Sequence, residues 1–553
     1  MKLQLKCETP VHVGSGNELE PFDYVIDGRY LIKFNKKKCF SEIYRHFPEG
    51  ITAFSQWLEE MAVKMESIEK EKRRAGNDKN LKRNKNQELS DIRKNLNLIY
   101  FCENKLKSPE LAQEFLTHSE YHDDKIICLE KPRGNRKVRE MIREDGRPFI
   151  PGSSIKGAIR TALAYSAIKQ MGSEDIRVLI KGDPQKGIGG IEKPLDAIGQ
   201  ALKGIKNKLR ENDFIDPELK NYQDLVKRHQ KSIGEQVERF VFGTGFIDNH
   251  NHIKWGDPKF DLLKFLLVSD AYPVQTKLLI GNVSSVTRDR WGKMKPPQSI
   301  VLAELFDEGS VLEFECDFTA DILLHILQNR RRNEWIGLEQ AFKRLFAIDL
   351  KQYDLTKEGE LRLKEDITQG IYESLNDFSK TILRRDKEWT ERFSDGSMSE
   401  LRQEISNLEK QEKLIRIGFS SGWHSTTVGL ALSEKEELRP WLQEIIYAFN
   451  LDLIQKQKKL FKAKDKNQRI YRKDKAELNR LLNRASDEKS YPKSRRVLAQ
   501  NRQPKDWMGW ARIEMISEKE LSQKNESEKT QNTAADSDDF QKKLLELKKK
   551  FSG

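Results

Sequence analysis

The sequence has few cysteines, no long apolar run and a thin supply of hydrophobic residues, and each shortage closes a class of reading. Five cysteines, Cys7, Cys39, Cys102, Cys128 and Cys316, stand far apart with no Cys-x-x-Cys and no Cys/His pairing. Neither a bound metal nor a disulfide framework is expected from such spacing. The opening MKLQLKCETPVHVGSG lacks the charged start and apolar core of a signal peptide, and no stretch reaches the roughly eighteen apolar residues of a membrane span. The chain is therefore expected in the cytoplasm, with reduced thiols and no membrane partner. Hydrophobic residues make up 37% of the 553, against 34% charged, a balance that suits compact domains interrupted by solvated stretches better than one dense core.

What the chain does have is basic charge. Lys and Arg number 100 against 87 Asp and Glu, a formal net charge of +13, which favours a polyanionic partner and makes nucleic acid the first suspect. Most of the excess falls between residues 451 and 512, where 19 Lys and Arg face 7 Asp and Glu. After residue 516 the polar stretch KNESEKTQNTAADSDD reads as a disordered tail, 517–553, with a short amphipathic segment at its end.

Periodicity gives an α+β chain. Leu3, Leu5 and Cys7 alternate with Lys and Gln as in a half-buried strand that runs into the glycine-rich PVHVGSG. Tyr24 to Phe34 reads as a hairpin turning at Asp27-Gly28, followed by helix over about 39–65 and a charged, exposed helical insertion at about 64–130. In RPFIPGSSIKGAIRTAL, apolar residues recur at helical spacing behind a Pro-Gly-Ser-Ser turn. A domain boundary is expected near Pro273, giving domains 1–273 and 274–516, the second with helical insertions of its own and with IRIGFSSGWHSTTVG repeating the strand-to-glycine-loop pattern.

Several of these segments suit RNA. Gly152, Ser153 and Ser154 open a helix, where free N–H groups and the dipole favour a phosphate, and Lys156 and Arg160 extend the positive face one turn on. A plain capped helix with two solvated cations accounts for the same residues. His12 with Gly14, Ser15 and Gly16 offers a loop that a nucleotide could approach closely; the histidine suits base stacking or loop packing better than acid–base chemistry, because the sequence places no second proton-transfer group beside it. In Ser420, Ser421, Gly422, Trp423 and His424 a flexible loop carries aromatic rings, with Trp423 equally suited to stacking on a base or plugging an interdomain gap. Arg495 and Arg496 form a forked-donor cluster suited to phosphates. His250 and His252 beside Asp248 lack further ligands at metal-site spacing.

The ordered set ETPVHVGSGNELEPFDYVID, RPFIPGSSIKGAIRTAL, VFGTGF with LLVSDAYPV, IRIGFSSGWHSTTVG and SRRVLAQNRQPKDWMGWARI spans about the first 515 residues and resembles the RAMP superfamily. Within that superfamily it is most similar to the subunit that caps the 3′ side of the guide RNA in type III-A (Csm) CRISPR complexes. The resemblance implies two RRM-like, ferredoxin-like domains with glycine-rich loops over the RNA, and it tips the Gly152–Arg160 segment toward phosphate binding. It further implies a CRISPR RNA-binding subunit without catalytic residues or cofactor, contacting the 3′ portion of the guide, target RNA, a neighbouring RAMP backbone subunit and a small helical subunit. A role in guide maturation through a separate trimming nuclease also follows from it. The alternatives are a metal-independent RAMP endoribonuclease and a RAMP subunit at another position of a type III complex.

Overall fold

The computed structural model describes residues 1–75, 78–130, 137–211, 216–289, 291–295, 300–329, 334–440, 442, 443, 446 and 492–516. The strongly basic run from 451 and the predicted tail 517–553 lie, apart from 492–516, outside the described residues.

The Lys2–Cys7 strand buries Leu3, Leu5 and Cys7 on one face, as its alternation requires. It lies between Val311–Phe318 and Trp510–Met515, antiparallel to both. Leu266–Val268 and Tyr272–Gln275 pair with the far side of Val311–Phe318, and Leu414–Arg416 continues beyond Trp510–Met515. The Gly152–Gln170 helix connects the first strand to Leu266–Gln275, and the Lys357–Thr390 helix leads from Val311–Phe318 toward the strands on the other side. This is the β-α-β-β-α-β order of a ferredoxin-like unit, and the chain is α+β as expected.

The apolar residues of both helices meet over this sheet. Ile155, Ile159 and Leu163 of one and Leu363, Ile367, Phe378 and Ile382 of the other share one core. Tyr165 Oη lies 3.0 Å from Thr381 Oγ1 across the contact. The 361–413 region carries most of its charge on the outward side, with Asp386 as a buried exception.

A second, nine-stranded sheet runs Gly14–Leu19, Val138–Met141, Ile300–Phe306, Leu278–Val286, His122–Cys128, Tyr30–Phe34 and Tyr24–Asp27. Arg495–Gln500 pairs with Leu278–Val286 and with Gln503–Asp506. The chain leaves the first sheet between Gln275 and Leu278. It then returns at Val311 and again at Leu414 and Trp510. Each sheet draws strands from both halves of the chain, and the first strand is held between strands from the second half.

Three local differences have simple causes. The hairpin pairs Asp27 with Tyr30, so its loop is Gly28-Arg29, one residue later than expected, with Gly28 at φ +57° taking the left-handed position. The helical stretch after residue 35 is two helices, Lys36–His46 and Gly50–Arg74, because Pro48 cannot continue the first. The insertion is exposed only as far as Lys79–Asn95. Beyond it Leu98, Ile99, Phe101, Leu111 and Phe115 pack with Ile32, Phe34 and Trp57 in a separate core.

Candidate nucleic-acid interface

Gly418 holds the site together. It follows the Leu414–Arg416 strand with φ +78°, and a methyl group added there would stand 2.2 Å from the His12 carbonyl oxygen. Only glycine permits that approach, and it lets Phe419 N–H donate to the same oxygen at 2.7 Å. Gly509 plays a similar part next door: Ile417 N–H donates to its carbonyl and its own N–H donates to Pro10 O. Segments near residues 10, 418 and 509 are thereby fastened into one surface.

His12 faces inward. It is 1% exposed, its Nδ1–H donates to Glu304 O at 2.6 Å, and its ring meets Phe419 edge-on at 5.8 Å. Burial holds its pKa below the usual histidine range, with the nearby Arg139 charge acting in the same direction against the Glu304 hydrogen bond. The ring packs within the loop, away from solvent. Gly14, Ser15 and Gly16 lie at the exposed edge of the second sheet, where the pairing with Val138–Met141 is irregular and leaves their backbone accessible.

On the outer side of the loop Phe419 carries two cations. The guanidinium carbons of Arg139 and Arg496 stand 4.4 and 4.7 Å from its ring centre. Burial, followed by the Arg139 charge, lowers the pKa of Arg496. Arg139 was not legible as a site residue: it sits on a short inner strand with no local motif, and only the sheet brings it to Phe419.

Behind the loop lies a buried ionic bridge. Asp386, 1% exposed, accepts from Arg416 Nη1 at 2.8 Å and from Arg495 Nε at 2.7 Å. Burial pushes this carboxyl's pKa up, but the two arginine charges outweigh it and leave the pKa below the usual range. Arg495 Nη2 lies 3.4 Å from His424 Nδ1. Burial, and then the Arg495 charge, hold His424 well below its ordinary pKa, so the ring is neutral. A cavity of about 250 Å³ borders this bridge and is also lined by Ser420, Ser421, Gly422, Trp423, His424, Arg495 and Arg496. Seven of the expected residues, from two motifs some seventy positions apart, thus share one cavity.

The expected phosphate site at Gly152–Arg160 is arranged otherwise. Gly152 N–H donates to Asp270 Oδ1 at 2.7 Å, so a carboxylate of the protein takes the position that would suit an anion. A methyl at Gly152 would meet the Val268 and Ser269 carbonyls, which fixes the helix start against that strand. Ser153 is exposed and Ser154 half-buried at this packed start. Lys156 donates to Leu266 O at 2.7 Å, while Arg160 is bidentate with Asp261 and also bonded to Glu238, over the Phe242 ring. Those two cations serve internal contacts rather than standing solvated. Asp248 likewise accepts from the backbone of His250 and His252, closing a turn.

A family model described as the RAMP superfamily matches residues 4–551. Two solved structures resemble the chain at 20% identity, over 93% of its length and 100% of theirs. One is a chain of the cryo-EM structure of a Csm–crRNA–target RNA ternary complex of a type III-A CRISPR-Cas system, with a TM-score of 0.48. The other is the crystal structure of T. onnurineus Csm5, with a TM-score of 0.47. No curated protein matches the chain in sequence.

Proposed function

We propose that this chain, which belongs to the RAMP superfamily, is an RNA-binding subunit of a type III-A CRISPR effector complex that holds the 3′ portion of the guide and itself catalyses nothing. The observation that carries the reading is the surface around Phe419. Two motif loops far apart in sequence are bonded into one turn, and Arg139 and Arg496 flank an aromatic ring beside it. Guanidinium groups suit the phosphates of a single strand. Such a surface grips backbone without reading base edges, as a holder of guides with many different spacers must. Its partners would be the guide, target RNA paired with it, the adjoining RAMP backbone and small helical subunits, and a separate nuclease that trims the guide.

Photocrosslinking tests the position. Guides carrying 4-thiouridine near either the 5′ or the 3′ end are assembled into the complex, and crosslinks to this chain are expected from the 3′ set. Crosslinks confined to the 5′ set would place the subunit elsewhere in a type III complex. Metal-independent cleavage of repeat RNA by the purified chain, abolished in His12→Ala at unchanged stability, would show an endoribonuclease instead.

A further inference from the structure

The cavity behind the Gly418–Gly422 turn has three properties that the fold leaves unused. Three guanidinium groups, those of Arg416, Arg495 and Arg496, border it against the single carboxylate of Asp386. Arg416 spends Nε on Met508 O and Nη1 on Asp386, and its Nη2 has no hydrogen-bond partner among the described residues.

Ser420 is the second. It holds φ +79°, a left-handed conformation that a residue with a side chain rarely adopts, and its Oγ is shielded from solvent with no hydrogen-bond partner among the described residues. Strain and an unsatisfied hydroxyl coincide at one residue of the cavity wall, and both are features that functional sites retain. The third is His424. Its Nδ1 faces Arg495 Nη2, so the ring proton sits at Nε2 and the neutral imidazole offers a donor without adding charge.

We propose that this cavity receives one phosphate group of the RNA strand, with the Ser420 hydroxyl and the arginine donors taking its oxygens. Asp386 then acts as a positioning residue: it orients Arg416 and Arg495 and leaves the wall with an excess of positive charge. The inference rests on the RNA-binding reading above and adds to it a specific seat. The phosphate is either an internal diester or a terminal monoester, and the two sources differ in what a 3′ end must carry.

The test uses the full chain with a short single-stranded RNA ending in a 3′-hydroxyl or a 3′-phosphate, and separately with inorganic phosphate followed by ³¹P NMR. Ser420→Gly is the informative variant, because glycine accepts the left-handed backbone and the fold should be unchanged or gain stability. Arg496→Ala is its companion at the exposed side of the cavity. Ser420→Gly is expected to weaken both RNA and inorganic phosphate by about tenfold, the size of one hydrogen bond to a charged group. A preference of the unaltered chain for the 3′-phosphate RNA, abolished in Ser420→Gly, assigns the seat to the strand terminus. Equal affinities, both weakened, assign it to an internal phosphate. If Ser420→Gly and Arg496→Ala bind both RNAs as the unaltered chain does, the seat is refuted while the RNA-binding reading stands. Ser420-dependent binding of inorganic phosphate with no RNA binding at all would overturn the RNA source and the reading beneath it, and leave only an anion site.

Discussion

Replacing Asp386 by Asn keeps the size of the side chain and removes the charge that two arginines share. The bridge has bonds of 2.8 and 2.7 Å, and its three side chains are 3%, 1% and 7% exposed, so losing the carboxylate leaves both guanidinium groups without their shared counter-charge. Breaking a buried pair by removing one partner costs about 3–5 kcal/mol, because the remaining charge is left uncompensated. Here two charges are left, which puts the expectation at the upper end of that range. If the surrounding region melts as a unit of about 150–250 residues, at about 2–4 °C per kcal/mol, the melting temperature should fall by roughly 10–20 °C at pH 7. Tryptophan fluorescence is a suitable probe, because Trp389 lies beside Arg495 while Trp507 and Trp510 lie beside Arg416. The pH dependence is a second check. A carboxyl whose folded pKa is depressed contributes stability that is present above its unfolded pKa and disappears as the pH falls through the folded value. The gap between Asp386→Asn and the unaltered protein should therefore narrow below about pH 4. A melting temperature within a degree or two of the unaltered protein at pH 7 would refute the bridge as a structural element.

Gly418→Ala should cost more than about 2 kcal/mol, since it combines left-handed strain with a clash at the His12 carbonyl; faster proteolysis within 418–424 is the accompanying sign, and a neutral substitution would count against the packing of this loop on residue 12. Glu404 accepts from Trp507 N–H, and burial, with Asp506 and Glu308 nearby, pushes its pKa up to about 9. Its contribution is present below the unfolded carboxylate pKa and disappears as the pH rises toward 9, so Glu404→Gln should gain stability over the unaltered protein between about pH 5 and 9 and not at pH 4; a constant difference across that span would contradict the assignment. Arg139→Glu with Arg496→Glu should weaken RNA binding and reduce its salt slope by about one for each phosphate that is no longer neutralised. Lys156→Glu with Arg160→Glu should instead destabilise the fold, because both cations are bonded within the protein, and a pure salt-slope effect there would restore the helix start as a phosphate site.

The elements and the ligand proposed for them follow from patterns that are local in the chain. Alternation in Lys2–Cys7, the helical spacing after Pro151 and the apolar runs at 278–286 and 311–318 are stretches whose burial follows from their period. The glycine loops and the basic excess pointed to RNA, and the family could be recognised from motifs that each lie on one short segment. Which of those motifs cooperate is a tertiary matter. Nothing local in IPGSSIKGAIR reveals that Asp270 and Asp261, more than a hundred residues on, will occupy its donors. The sequence around Asp386 reads only as a charged helix, yet that residue meets Arg416 and Arg495 at the helix's buried end. Arg139 and Arg496 become neighbours only because a short inner strand and one of the last strands flank the same loop. Side-chain chemistry and periodicity are written along the chain, whereas the pairing of charges depends on sheet order, and here that order interleaves the first strand with the last.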